Sequence, residues 1–330
     1  MTNLTAPAPP PAEAAVTLDP SLTLALAQAS LAAYADYQGQ SFVSPPNYRC
    51  IGRFTGWDGW LGPFDKEEKF GLVFQYIGPQ QIANRFIVAF RGTDSTLDII
   101  EDSFWDFCDF TPYRNSLPAP TKVSLGFSDI YFTKGGSMTA SMQQQIFAML
   151  PATPSQVLVT GHSLGAALSQ LFTLDMAVSA PGVGVQTINF ASPRVGGASW
   201  QAACDQSGAT RRITRVINYH DLVPDYPLQV MGYVTIGAQF EAAFRRQNWW
   251  DWNEISNHSM LNLQTVLSKA LPLTPQVWTG TFTDHINPNY AMSSTPPPTT
   301  SRAAWLGKLQ ELHEAASPDP ATLATAAAQD

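Results

Sequence analysis

The chain has 330 residues, 45% hydrophobic and 13% charged, which is enough apolar material for one large domain built on a single core. The formal net charge is −8, no Lys or Arg precedes Arg49, and no basic run occurs anywhere, so nucleic acid is not an expected partner and electrostatic docking to anionic lipid is disfavoured. The 3 cysteines (Cys50, Cys108, Cys204) form no C-x-x-C pair and the 5 histidines show no ligand spacing, which excludes a disulfide framework and points to no metal.

In chain order, residues 1–17 are rich in Pro and Ala and read as a flexible terminus. Residues 21–37 read as a helix, with Leu22, Leu26, Ala29 and Ala33 in helical repeat. The same stretch contains Ala27-Gln28-Ala29, which imitates a signal-cleavage site, but no positive charge precedes it and Pro9-Pro10-Pro11 does. No stretch is apolar for long enough to span a bilayer. A soluble chain, either cytoplasmic or exported without a leader, is therefore expected. Residues 70–76 and 85–91 are strand-like. The stretch 93–111 interleaves Ile99, Ile100, Phe104, Trp105 and Phe107 with Asp98, Glu101, Asp102 and Asp106. Residues 126–150 read as one long helix interrupted at Gly135-Gly136. Then follow a strand at 157–160, a helix at 166–177, a strand at 185–190, a helical stretch after Gly197 and a strand at 213–219. Strands separated by helical segments imply a mostly parallel central sheet flanked by helices. The Pro-rich stretch 288–298 is expected to end the domain at about residue 290. A tail, 291–330, carries one short helix at 303–316.

The pentapeptide Gly161-His162-Ser163-Leu164-Gly165 joins the β-branched run 157–160 to a helical repeat of Ala167, Leu168, Leu171, Leu174 and Val178, which predicts one buried helix face. A serine on a tight strand-to-helix turn is exposed as a nucleophile, and the flanking glycines relieve the collision such a turn would cause. The helix directs its N-terminus at the serine, where anionic intermediates form. A serine hydroxyl needs a neutral imidazole to take its proton and a carboxylate to orient that imidazole. The expected chain order is serine, acid, histidine. Asp221, at the end of an apolar run and before Leu222-Val223-Pro224, is the best acid, with Asp225 its neighbour and rival. His162 lies inside the turn, His220 precedes the acid and His313 lies in the tail. Both His258 and His285 follow Asp221, and order alone favours His258 only slightly. One oxyanion N–H is expected from Leu164 and the other from a loop after an earlier strand, which Val88-Ala89-Phe90-Arg91-Gly92-Thr93-Asp94 fits, with the Thr93 hydroxyl a candidate third donor.

Together these pieces resemble the class 3 lipases, the family of the filamentous-fungal triacylglycerol lipases. The resemblance is carried by Val88-Ala89-Phe90-Arg91-Gly92-Thr93, Gly126-Phe127, the pentapeptide with its flanks, Phe190-Ala191-Ser192-Pro193-Arg194-Val195-Gly196, Asn218-Tyr219-His220-Asp221-Leu222-Val223-Pro224 and His258-Ser259-Met260. It covers about residues 20–265. Ala166 departs from the pattern, standing where that family commonly has glycine. The resemblance implies an α/β-hydrolase fold over residues 18–290, hydrolysis of carboxylic esters and no cofactor. It assigns the nucleophile to Ser163, the acid to Asp221, the base to His258 and the oxyanion donors to Thr93 and Leu164. It also implies a lid at residues 95–112; the apolar stripe of Ile99, Ile100, Phe104 and Trp105 fits a lid that faces substrate or an oil–water or membrane interface, and fits equally a core-facing helix that never moves.

A lipid ester, most directly a triacylglycerol, is the expected substrate. The motifs equally admit a short-chain carboxylesterase, a phospholipase or a feruloyl-type esterase, because fold and triad say little about the acyl pocket. A non-catalytic lipid-binding module of the same fold is the reading from another class.

Overall fold

Alternation along neighbouring strands divides the apolar residues of this chain between two faces of one sheet. In the computed structural model, which describes residues 16–59, 66–79, 84–93, 106–247, 254–274, 276–298 and 307, the chain opens with helix α1 (Pro20–Tyr37). The Asp19 carboxylate caps α1 by accepting the Leu22 N–H at 2.7 Å, and Pro20 stands at the first helical position, where its missing N–H costs nothing. Three antiparallel strands follow: β1 (Tyr48–Asp58), β2 (Lys66–Tyr76) and β3 (Arg85–Phe90). A small ladder of β4 (Phe107–Asp109) and β5 (Lys122–Ser124) leads into α2 (Leu125–Phe132) and α3 (Met142–Met149). The parallel portion is then built by β6 (Gln156–Gly161), α4 (Leu164–Ser179), β7 (Gly184–Phe190), α5 (Ala198–Ser207), β8 (Ile213–Asn218) and β9 (Ala238–Ala242). The chain continues through β10 (Phe244–Arg246), a single turn α6 (Glu254–Asn257), α7 (Met260–Ala270), β11 (Gly280–Thr283) and β12 (Ala291–Ser294).

The main sheet has seven strands in the order β1-β2-β3-β6-β7-β8-β9, and every pair from β3 to β9 is parallel. On β3, Phe86, Val88 and Phe90 face one side while Ile87 and Ala89 face the other; on β6, Val157 and Val159 oppose Leu158. The first face is covered by α2, α3, α4 and α5 through Phe127, Ile130, Ile146, Leu168 and Trp200. The second is covered by α1 and α7 through Leu26, Ala29, Leu263 and Leu267. The result is the mostly parallel sheet flanked by helices that the strand–helix alternation implies, in the layered α/β-hydrolase architecture that the resemblance implies. Among the described residues no helix is long and apolar enough to cross a membrane, and no cluster could hold a metal.

Several expectations change. The helix expected over 126–150 is two helices, separated by residues 133–141, within which Gly136 adopts φ +54°. The strand expected at 70–76 starts earlier, at Lys66, and β1 escapes the sequence pattern because it is an edge strand. Its outer half is largely exposed, it carries Gly52 and Gly56, and its pairing slips twice. Helix α4 is buried nearly all round and not along one stripe, because α2 and α5 pack over the side turned away from the sheet. Strand β12 lies beyond residue 290 and forms the centre of a three-stranded sheet, β10-β12-β11. Residues 99, 100, 104 and 105, and most of the expected lid, lie outside the described residues; the last part of that segment contains β4.

A buried helix must satisfy its own polar residues. Asp175 of α4 is fully buried and accepts from the Tyr113 N–H (2.7 Å), Gln143 Nε2 (2.6 Å), Ser179 Oγ (2.8 Å) and the Tyr131 hydroxyl (3.0 Å). Burial pushes its carboxyl above the ordinary range, against these four bonds. The Asp175→Ala variant removes the acceptor of the Tyr113 N–H and the Tyr131 hydroxyl in a dry site, while Ser179 Oγ and Gln143 Nε2 keep the Arg114 and Thr111 carbonyls, and should lose about 3 kcal/mol of unfolding free energy. Urea denaturation measures this; an unchanged midpoint would mean that the donors find other partners.

Candidate active site

The carboxyl ends of β3, β6 and β8 lie along one edge of the sheet, with β7 between β6 and β8, and the residues just past these strands meet there. Ser163 follows β6 with φ 59° and ψ −127°, a backbone conformation that costs an ordinary residue about 1–3 kcal/mol. Packing imposes it. The Ser163 N–H donates to the Phe190 carbonyl at 3.0 Å, and the Gly165 N–H donates to the His162 carbonyl at 2.9 Å. A Cβ on Gly161 would strike the Gly165 carbonyl, and one on Gly165 would strike the carbonyls of Arg91 and Phe90. Both glycines are therefore dictated by close backbone approach, as the turn requires.

The loop after β3 is held against this turn. A Cβ on Gly92 would run into the Tyr34 hydroxyl, the His162 carbonyl and Ser163 Cβ, so Gly92 and Thr93 sit directly beside the serine. The buried Arg91 guanidinium fixes the loop from behind. It donates to the Gly92 carbonyl and the Lys69 carbonyl, both at 2.8 Å, pairs with Glu68, and stacks over the Tyr37 ring at 3.8 Å. Leu164 is the first residue of α4, where a helix N–H has no intrahelical acceptor. The β3 loop, through Gly92, and the N-terminus of α4, through Leu164, therefore both adjoin Ser163.

Asp221 and His258 meet. His258 Nδ1 lies 2.7 Å from Asp221 Oδ2, and both side chains are buried. The second carboxylate oxygen accepts the Val223 N–H at 3.0 Å. An ionised carboxylate can only accept, so Nδ1 carries the proton and Nε2 presents its lone pair. Ser163 Oγ and His258 Nε2 are both buried without a hydrogen-bond partner in the structure. Buried polar atoms are rarely left unpaired away from functional sites. His285 stands elsewhere, with Nε2 at 2.9 Å from the exposed Thr265 hydroxyl. Asp225, the rival acid, is engaged by Arg194 at 3.0 Å. The acid loop is braced by two buried arginines: Arg194 also donates to the Pro227 carbonyl (2.8 Å), and Arg215 to the carbonyls of Ser192 (2.8 Å) and Pro224 (3.1 Å).

Sequence reasoning missed the residues that hold the histidine. Asn218 Nδ2 donates to the Asn257 carbonyl at 2.9 Å, tying the end of β8 to the residue before His258. His162, set aside as part of the turn, donates from Nε2 to the His258 carbonyl at 2.7 Å and accepts the Tyr34 hydroxyl on Nδ1 at 2.8 Å. Its ring lies 4.6 Å from the His258 ring. Only the pairing of an inward-facing Tyr on α1 with a polar residue in the turn could have signalled this, and that pairing is invisible without the fold.

Burial, with the neighbouring His258, pushes His162 well below the ordinary imidazole range. The unfolded chain therefore binds a proton at His162 more readily than the folded one. Stability should fall as pH drops below about 6.5, at up to about 1.4 kcal/mol per pH unit from this group. Thermal melts from pH 7.5 to 5.5 test this. The His162→Gln variant should have a flatter acid limb, and an identical slope would remove His162 as the cause.

Comparison with known proteins places these features. Residues 87–231 match the family model for lipase (class 3). Among curated relatives, a chloroplastic phospholipase A1-Igamma3 of Arabidopsis thaliana is 29% identical over 196 residues, covering 52% of this chain and 34% of that protein. A lipase of Rhizopus niveus is 29% identical over 156 residues, covering 46% and 37%. The chain thus spans little more than a third of the length of these relatives. Among solved structures, a lipase from Rhizopus microsporus var. chinensis aligns with a TM-score of 0.50 at 25% identity, covering 71% of this chain and 79% of that one.

Proposed function

We propose that this chain is a class 3 lipase-like enzyme that hydrolyses carboxylic esters of lipids through an acyl-enzyme on Ser163. The single observation that carries the reading is the buried Asp221–His258 pair together with the unpartnered Ser163 Oγ and His258 Nε2. Ser163 Oγ attacks the ester carbonyl as Nε2 takes its proton. The negative oxygen of the tetrahedral intermediate is held by the N–H groups of Thr93 and Leu164, at the positive end of α4. Asp221 keeps the ring oriented and stabilises the imidazolium. The intermediate collapses, the ester bond breaks, and the departing alcohol leaves with the proton from His258. Water then attacks the acyl-enzyme, giving its proton to His258, and the fatty acid is released as Ser163 recovers its own.

The substrate is a lipid ester, and the segment 95–112 acts as the lid over it, with Ile99, Ile100, Phe104 and Trp105 as its apolar contacts. The hydrolase unit begins near residue 18 and runs past 290 to include β12. Relatives named as lipases and as a phospholipase A1 favour two substrate classes, which hydrolysis of triolein, phosphatidylcholine and tributyrin separates.

On a p-nitrophenyl ester, Ser163→Ala should reduce kcat by about 10⁶-fold and Asp221→Asn by about 10⁴-fold. His285→Ala should stay within about twofold of the unmodified chain, since a base elsewhere makes it dispensable. Near-normal turnover by the serine variant, or a loss in the His285 variant as large as that in the Asp221 variant, would contradict these roles.

A further inference from the structure

The histidine loop has an anchor outside the residues that match the family. Asp284 directly follows β11, is completely buried, and lies far along the chain from residues 87–231. Its Oδ2 accepts Arg246 Nε at 3.0 Å and Ser256 Oγ at 2.6 Å; its Oδ1 accepts Asn262 Nδ2 at 3.0 Å and the Ile286 N–H at 2.9 Å. Asn262 Nδ2 also donates to the Ser256 carbonyl at 2.9 Å, and its N–H donates to Ser259 Oγ at 3.2 Å, capping α7. Ser256 and Asn262 bracket His258. One carboxylate therefore holds a side chain on each side of the histidine, Ser256 Oγ before it and Asn262 Nδ2 after it.

This grip is a poor way to gain stability. Arg246 and Asp284 are both buried, and the desolvation of such a pair offsets most of its attraction; apolar residues of similar volume would hold the fold as well. What an ion pair with this many directed bonds supplies is a fixed geometry. Burial alone would raise the Asp284 carboxyl. The bonds from Ser256, Asn262 and the Ile286 N–H, with Arg246, instead hold it below the ordinary range, so it stays an acceptor for all of them. The three-stranded sheet that carries Asp284 is built from β10, which bears Arg246, and from β11 and β12. The sheet thus delivers both charges to one point behind the histidine loop.

We infer that Asp284 is a positioning residue for His258, acting through Ser256 and Asn262 to keep Nε2 aligned on Ser163. This rests on the hydrolase reading above. Its consequence is that the segment 276–298 is a working part of the enzyme. A displacement of about 1 Å at a reacting group can lower turnover by about 100-fold while substrate binding is unaffected.

The test uses the full chain, with Ser256→Ala and Asp284→Asn made singly and together. Active sites are counted by exhaustive labelling with a fluorophosphonate, and kcat on a p-nitrophenyl ester is expressed per labelled site. This removes any loss of folded protein from the comparison. Each single variant should lose at least about tenfold in kcat per site, with KM within about twofold, and the double variant should fall little further than Asp284→Asn alone, because one linkage is being cut twice. Wild-type turnover per site in Ser256→Ala overturns the inference, even if Asp284→Asn fails to fold. Multiplicative losses in the double variant overturn it too. If the unmodified chain neither takes the label nor turns over, the hydrolase reading itself has failed, and that result is separate from an active chain with unaffected variants.

Discussion

The left-handed backbone at Ser163 is the constraint from which the site is built. Only a short parallel strand running straight into a helix aims a side chain outward at the sheet edge in this way, and such a turn leaves no room for a Cβ at residues 161 or 165. Once the turn is set, the neighbours follow. The β3 loop must pass close enough for Gly92 to touch Ser163, and Arg91 must then be buried to fix that loop. The energy stored at one residue is returned by the packing of the seven-stranded sheet and of the almost fully buried α4.

Around that turn, the four loops of the site are joined by polar bonds and not by apolar contact alone. Tyr34 on α1 reaches His162, His162 reaches the His258 carbonyl, His258 reaches Asp221, and Asn218 links the end of β8 to Asn257. Buried polar groups are costly unless every member is satisfied. Ser163 Oγ and His258 Nε2 are among the buried atoms that break that rule, and the proposed chemistry requires both to be free for a substrate. The site is rigid where orientation matters and unsatisfied where the reaction occurs.

The parts of this arrangement that were legible in the sequence are those encoded locally. The turn at 161–165 announces itself through glycine spacing beside a β-branched run. Asp221 and the Gly92-Thr93 loop stand at strand ends, where α/β sheets carry their sites. The alternation of strands and helices sufficed for the parallel layers. Order did not separate His258 from His285, since both follow the acid; the resemblance at His258-Ser259-Met260 favoured His258, and the contacts from Asn218, His162 and Asp284 that hold its loop were not legible. Edge strand β1 was hidden by its glycines and exposed residues, and β12 by the prolines around it. The interruption at Gly135-Gly136 was legible from its glycines, and only its extent, from residue 133 to 141, was not.

The account stands or falls on whether Ser163 is activated by His258. The most direct measurement is the rate of fluorophosphonate addition, with the modified residue located by mass spectrometry, in the unmodified chain and in His258→Ala. A single adduct on Ser163, formed at least about 10³-fold more slowly in the variant, is the expected result. An adduct on another residue, or equal rates in the two proteins, would contradict it.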